Sequence, residues 1–288
     1  MINKGGIFMN RIAFFDIDGT LCNRHGEVLP SSIESIRAFR NNGNLAYICT
    51  GRSKPEILDS ILEVGFDGII GAGGGYIVIN DDVVKHQTMD KTLVKSVLNY
   101  FENNDIGYYL ETNDGLFGSE NCVRKIKEEI KAFCDRTGEA YEIWENKMEW
   151  FEKLLTENKR EDIDYQSVNK ISFINNTVPF AKVSEKFGDE CSMYHSTVEL
   201  FGPQSGEIAI KGVDKKNAIE FVLEQLGMTK EQTVAFGDGD NDIAMFEAVD
   251  YGIAMDNATD NLKKIASEIT DSADEDGIAN SMKKNGWI

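Results

Sequence analysis

Apolar residues in the first third of the chain come in short runs that stop on polar or glycine residues, alternating with stretches of helical spacing. RIAFFD is followed by SSIESIRAFRNNG, a predicted helix with a serine start and Gly43 as its stop. LAYICT, then KPEILDSILEVG closing on Gly65, then DGIIGAG repeat the order strand, helix, strand. Strands alternating with helices predict a parallel sheet with crossover helices. From Tyr76 to Met89 the pattern YIVINDDVVKHQTM predicts a hairpin turning at Asn80-Asp81-Asp82.

The pattern then changes. KTLVKSVLNYFENN and the charged stretch Cys122 to Arg136 predict helices, IGYYLETNDGLFGS a hairpin, and KISFI, CSMYH, TVELF and EIAI strands. Simple alternation is lost, which points to a separate α+β module. After Lys211 the first style returns: DKKNAIEFVLEQLG as helix, TVAFGD as strand, NDIAMFEAV as helix, YGIAM as strand and NATDNLKKIA as helix. The simplest account is one α/β domain, residues 1–87 and 211–288, interrupted by an insert at 88–210. With only 4 prolines and no repeat or biased tract, no loose linker is expected.

The 288 residues suit one large or two modest domains. A formal charge of −19 argues against nucleic acid or anionic membrane as partners, because the general field would repel a polyanion. Any anion must be held by local cations. No stretch approaches the roughly 20 consecutive apolar residues of a membrane span, and MINKGGIFMN is too short and too weakly apolar for a secretory signal. A cytoplasmic protein is expected, with Met1 to Phe8 as a dispensable extension or Met9 as an alternative start. Five cysteines without a Cys-x-x-Cys pair fit reduced, buried thiols.

Four segments fall where strands end, the edge at which ligands of open α/β sheets collect. In FDIDGT, Asp16 and Asp18 stand two apart as the apolar run stops, so both side chains are expected on one side of the strand's carboxyl edge. Asp16 suits attack on an electrophile and Asp18 proton transfer, while Gly19 and Thr20 allow a sharp turn offering N–H groups to an anion. ICTGRS places Thr50, Gly51 and Arg52 between a strand and a helix, where a hydroxyl and amides make an anion cradle or a simple cap. IKGVDKKNAI brings Lys211, Lys215 and Lys216 to a helix start, where the macrodipole disfavours a cation unless an anion lies beside it. FGDGDND carries Asp238, Asp240, Asn241 and Asp242; carboxylates so close repel unless a cation joins them, and hard oxygen ligands suit Mg²⁺.

Other readings weaken on inspection. An EF-hand loop wants glycine at its sixth position and an acid at its twelfth; counted from Asp16 these are Leu21 and Glu27, and from Asp238, Ile243 and Val249. GAGGGY has Tyr76 where a dinucleotide fingerprint needs its third glycine, and a hairpin rather than a helix follows. His25, His86 and His195 lack metal-ligand spacing, and Tyr108, Tyr109, Trp144, Trp150 and Phe151 suit core or lining.

In this order DIDGT, CTGR, the lysine of GVDKKNAI and GDGDND resemble the four motifs of the haloacid dehalogenase-like hydrolase superfamily, its Cof-like subgroup in particular. The resemblance covers nearly the whole chain. It implies an α/β fold, a Rossmann-like parallel-sheet core (1–87 and 211–288) with an inserted α+β cap domain (88–210), and a Mg²⁺-dependent phosphatase of small phosphorylated metabolites, sugar phosphates first. It further implies that Asp16 forms an aspartyl-phosphate, that Asp18 protonates the leaving alcohol and later activates water, and that Thr50 and Lys215 hold the phosphoryl oxygens. Gly19, Gly51, Arg52 and Asn241 would line the phosphate. Asp16, the backbone carbonyl of Asp18, Asp238 and Asp242 would surround the metal. Two departures stand out: Lys216 replaces the glycine of the family's Ser-Lys-Gly element, and Gly73-Gly74-Gly75 replaces its Asn-Gly-Ala.

A phosphomutase or phosphotransferase would keep the same groups and is the nearest rival. A phosphate-receiving signalling domain also uses an acidic cluster, a threonine and a lysine, but has no use for the Asp-x-Asp pair or for an insert of about 120 residues. Glu111, Asn113, Phe117 and Glu207 are the insert's candidates for substrate contact.

Overall fold

The computed structural model describes residues 10–288, so the expectation about Met1, Met9 and the segment between them lies outside the described residues. In chain order the strands are β1 (Ile12–Phe15), β2 (Leu45–Cys49), β3 (Gly68–Gly71), β4 (Tyr76–Ile79), β5 (Asp82–His86), β6 (Gly107–Glu111) and β7 (Leu116–Gly118). Then come β8 (Lys170–Ile174), β9 (Cys191–His195), β10 (Gly206–Ile210), β11 (Thr233–Gly237), β12 (Tyr251–Ala254) and β13 (Glu268–Ile269). They belong to two compact units. One takes the chain up to Arg52, Ile57–His86 and Val213–Ile288; the other takes Ser53–Glu56 and Gln87–Gly212.

The first unit is built on an eight-stranded sheet in the order β13-β12-β11-β1-β2-β3-β4-β5. Pairing is parallel from β13 through β3 and antiparallel at β3-β4 and β4-β5. Residues of β1 alternate between two cores: Ile12 and Phe14 join one cluster, Ala13 and Phe15 the other. Helices cover both faces, which is why an unbroken apolar run such as IAFF suits this strand. Phe15 stacks on Phe236 of β11, ring centroids 5.1 Å apart. The chain runs outward from β1 to β2 and β3 on one side and from β11 to β12 and β13 on the other. The topological switch therefore lies between β1 and β11, where doubly wound sheets place their ligands.

The second unit holds a five-stranded antiparallel sheet, β7-β6-β8-β10-β9. Tyr108, Leu110, Ile171 and Phe173 pack with Val94, Val97 and Phe101 of helix Lys91–Asn103, whose start is capped by Asp90. Tyr109, Leu116 and Ile174 pack with Ile126 and Ile130 of helix Cys122–Thr137 and Phe151 of helix Tyr141–Glu157. Inside this unit Glu111 is fully buried: one oxygen accepts from Ser172 Oγ at 2.6 Å and the other from Ser53 Oγ at 2.9 Å. Lys170, also buried, lies 3.4 Å from Glu111 and 2.9 Å from Glu207. Phe117 is a core residue.

Two expected elements are corrected. TVELF is no strand: Phe201 N–H bonds to the Val198 carbonyl, Glu199–Phe201 form a 3₁₀ turn, and the adjacent side chains Leu200 and Phe201 enter the same core cluster, whereas adjacent strand residues point to opposite faces. KPEILDSILEVG is not one helix but a 3₁₀ turn, Lys54–Glu56, followed by a single α-turn, Asp59–Leu62. Residues up to Glu56 pack with the second unit and those from Ile57 with the first, so no continuous helix forms. Helix Tyr141–Glu157 was not foreseen, because its aromatic and charged residues carry a weak pattern. The β4-β5 hairpin turns through Asn80 and Asp81, both with positive φ, as a two-residue hairpin requires. Among the described residues no helix is long and apolar enough to cross a membrane.

Candidate active site

The carboxyl ends of β1, β2 and β11 deliver the first, second and fourth segments, and the start of helix Lys215–Leu226 delivers the third. Asp16 directly follows β1, its N–H bonded to the Phe236 carbonyl at 3.1 Å. The chain then turns, Leu21 N–H returning to the Asp16 carbonyl and Cys22 N–H to that of Ile17. Strand alternation therefore does not extend to Asp18. Asp16 is buried and the Asp18 side chain is 67% exposed, so the two carboxylates differ in burial, while the charge of Asp18 still acts on Asp16.

Lys215 is the first residue of its helix, whose start is capped by Asp214 accepting from Asn217 N–H at 2.8 Å. Buried with its head group, it sits 2.6 Å from Asp16 Oδ1 and 2.6 Å from Asp242 Oδ1. These two anions resolve the unfavourable placement of a cation at a helix start. Burial alone would lower the Lys215 pKa, but Asp16 and then Asp242 override it and raise it. The other oxygen of Asp242 accepts the N–H groups of Asp238 and Gly239 at 3.0 and 3.1 Å, folding the fourth segment into a tight loop.

Asp16, Asp238 and Asp242 each offer an oxygen within 4.8 Å of the others. Burial, and next the charge of Asp242, hold Asp16 well above the usual carboxylate range despite Lys215. The same two causes push Asp238 up to about 7. One lysine cannot balance three convergent carboxylates, and an all-oxygen donor set with backbone carbonyls nearby fits Mg²⁺, which keeps several of its own waters. Gly19 lies against Asp238: with φ +73°, its absent Cβ would stand 2.3 Å from Asp238 Oδ2.

Thr50 is buried, its hydroxyl accepting from Arg52 N–H at 3.1 Å. Arg52 grips Asp18 with two bonds, at 3.0 and 2.6 Å. Gly51 has open space where a Cβ would be, and Asn241 is exposed on the fourth loop. The loop after β3 bonds through backbone alone: Gly73 N–H reaches the Thr50 carbonyl and Ala72 N–H that of Arg52. Gly74, φ +114°, packs so closely on the Asp214 carbonyl that a Cβ would meet it at 2.3 Å. This loop thus braces both Thr50 and the start of the Lys215 helix. Lys211 points elsewhere, to the Asp189 carbonyl, and Lys216 is half-exposed near Glu247.

Two side-chain contacts that sequence reasoning did not assign also reach the cluster. Thr20 Oγ1 donates to Asp238 Oδ1 at 3.0 Å, and Asn257 Nδ2 donates to the Gly19 carbonyl at 2.8 Å. The sequence pattern predicts helix from Asn257, whereas the helix begins at Asp260. The position of Asn257 just past β12, on the same sheet edge as the other motifs, was the available signal.

A buried lysine shared between carboxylates at the switch point of a parallel α/β sheet supplies the cation and the acidic groups that phosphoryl-transfer chemistry uses. The sequence profile of the haloacid dehalogenase-like hydrolase family matches residues 13–282, and the chain belongs to that family. It is 23% identical over 288 residues to phosphatase YwpJ of Bacillus subtilis, covering 95% of this chain and 99% of that one. To the B. subtilis 5-amino-6-(5-phospho-D-ribitylamino)uracil phosphatase YwtE it is 26% identical over 279 residues, covering 92% and 94%. The solved structure of the subclass IIB sugar phosphatase BT4131 superposes with a TM-score of 0.73 at 23% identity, over 97% of this chain and 100% of that one. The protein is a phosphatase of this family, a phosphoric monoester hydrolase.

Proposed function

We propose that the protein hydrolyses small phosphorylated metabolites, sugar phosphates first, through an aspartyl-phosphate on Asp16 and with Mg²⁺ as cofactor. The observation that carries this reading is Lys215, buried and 2.6 Å from both Asp16 and Asp242, with Asp238 completing the acidic cluster. The activities for which YwtE and BT4131 are named, on a ribityl phosphate and on sugar phosphates, support the substrate class.

Asp16 attacks phosphorus and the ester P–O bond breaks, with Asp18 giving its proton to the departing alkoxide. Asp18 then takes a proton from water, whose oxygen attacks phosphorus and breaks the acyl–phosphate bond, returning Asp16 as a carboxylate. Lys215 and the Thr50 hydroxyl hold the phosphoryl oxygens, with the turns at Gly19 and Gly51 and the Asn241 side chain around them. The Arg52–Asp18 pair has to open for Asp18 to act as an acid, and transfer of Arg52 to the phosphoryl group would open it. Mg²⁺ held by Asp16, the Asp18 carbonyl, Asp238 and Asp242 would supply charge neutralisation for the equatorial oxygens. We assign residues 1–87 and 211–288 the role of catalytic core and residues 88–210 that of the substrate-selecting cap, in a cytoplasmic protein.

The test is phosphate release from a panel of sugar phosphates, nucleotides, pyridoxal phosphate and flavin mononucleotide, with Mg²⁺ or EDTA. Expected is turnover on sugar phosphates that needs Mg²⁺ and falls at least roughly 10³-fold in Asp16→Asn. Transfer of phosphate between sugar positions without its release would favour a phosphomutase instead.

A further inference from the structure

We propose that Asn257 is a positioning residue that holds the Gly19 peptide and the Asp238 carboxylate in register for metal binding, an inference that rests on the function proposed above. Its amide nitrogen donates to the Gly19 carbonyl at 2.8 Å and lies 3.4 Å from Asp238 Oδ2. Its amide oxygen accepts Ala273 N–H at 3.1 Å. With acceptors on one side and a donor on the other, only one orientation of the amide satisfies all three contacts.

The need for such a clamp follows from the geometry of its two targets. Gly19 and Asp238 come from β1 and β11, 219 positions apart in sequence by their numbers, and are pressed together closely enough to exclude a Cβ. The Gly19 carbonyl lies one residue beyond the Asp18 carbonyl in the same turn, so holding it restrains the backbone that carries Asp18. A carbonyl and a carboxylate repel when forced together, and a neutral donor shared between them holds them without cancelling the charge a cation needs. Thr20 does the same for the other Asp238 oxygen.

The rest of the loop is anchored independently. Met255 N–H bonds to the Gly237 carbonyl, Thr259 N–H to the Asp238 carbonyl, and Thr259 Oγ1 to Asp240 Oδ1. Asn257 is therefore not needed merely to keep the loop in place. Thr259→Ala, which loosens the same loop without removing a side chain from Gly19 or Asp238, is the matched control.

The experiment is calorimetric titration of Mg²⁺ into wild type, Asn257→Ala and Thr259→Ala, alongside the Mg²⁺ concentration for half-maximal turnover, the substrate KM and the melting temperature. In Asn257→Ala the Mg²⁺ Kd and half-saturation are expected to rise together by about 10-fold or more, as for other residues that orient metal ligands, with a smaller change in KM. Thr259→Ala should lower the melting temperature and leave the Mg²⁺ Kd near wild type. Equal Mg²⁺ affinity in wild type and Asn257→Ala overturns the proposal, as does an equal weakening in both variants. Asn257→Ser, too short to reach Gly19, serves if Asn257→Ala does not fold. Should wild type bind Mg²⁺ yet hydrolyse nothing, the function proposed above fails while the Kd comparison still decides the role of Asn257.

Discussion

Each unit buries a lysine among carboxylates, and the two clusters differ in how the charges are satisfied. Around Lys170, Glu111 has a serine hydroxyl on each oxygen and Glu207 a direct ion pair with the lysine. Around Lys215, three carboxylates converge, and Asp238 is met by neutral donors, Thr20 and Asn257. The first also carries the charge of Glu56, which with burial raises Glu111, so excess charge is common to both; among the described residues, only the second brings three carboxylate oxygens within 4.8 Å of one another, where a cation would relieve them. Burial and pairing are alike in the two places, so neither property alone marks a functional site. Convergence without saturation does.

Replacing each lysine by alanine should separate the two clusters most clearly. Lys215→Ala is expected to lower phosphatase turnover roughly 10²–10³-fold, since a charge aimed at the phosphoryl oxygens is lost. Lys170→Ala should instead cost about 3 kcal/mol of stability in denaturant titration, because it strands Glu111 in the interior. A larger turnover loss per folded molecule in Lys170→Ala than in Lys215→Ala would erase the distinction. Next in size is the response to metal: Mg²⁺ at about 100 times its Kd should stabilise the protein by about 2.7 kcal/mol. That gain should vanish in Asp238→Asn and persist in Lys170→Ala, which a thermal-shift series reads directly.

Gly19→Ala tests the close approach that builds the acidic cluster. Left-handed backbone at a residue with a side chain costs about 1–3 kcal/mol, and the new methyl group meets Asp238. Lower stability together with weaker Mg²⁺ binding is expected; unchanged values for both would mean that the turn relaxes freely.

A pH-dependent effect should be common to both units. Burial pushes the Cys49 thiol in the first and the Cys122 thiol in the second up to about 12. Each keeps a proton when folded that the unfolded chain releases near pH 9, so the native state binds more protons and stability falls as pH rises from about 9 towards 12. The slope is at most about 1.4 kcal/mol per pH unit for each thiol. Urea midpoints measured from pH 8 to 11 should decline, and Cys49→Ala should flatten the decline; a constant midpoint would contradict it.

The candidate groups Asp16, Thr50, Asp238 and Asp242 were legible because each sits where an apolar strand meets a short polar signature, whereas Lys215, at a helix start, was distinguished from Lys211 only by the family resemblance. Asn257 and Thr20 act through long-range contacts that no local spacing encodes. Within the insert, TVELF satisfied strand propensity, yet Leu200 and Phe201 both pack into one cluster through a turn, a case of tertiary packing overriding composition. The break in KPEILDSILEVG had no local signal either, since it reflects which unit each half of the segment packs with.

The loop from Gly71 to Gly75 carries a consequence for divergence within the family. It supports Thr50 and the Lys215 helix with backbone groups, so its chemistry is independent of side-chain identity. Gly74 is closed to change by the Asp214 carbonyl, whereas Gly73 has nothing within 4 Å of where a Cβ would project. At φ +65° that position tolerates asparagine at modest cost. A single codon there can add a polar group to the scaffold without disturbing what it supports, so the loop leaves one position open to change beside Gly74, which its packing holds fixed.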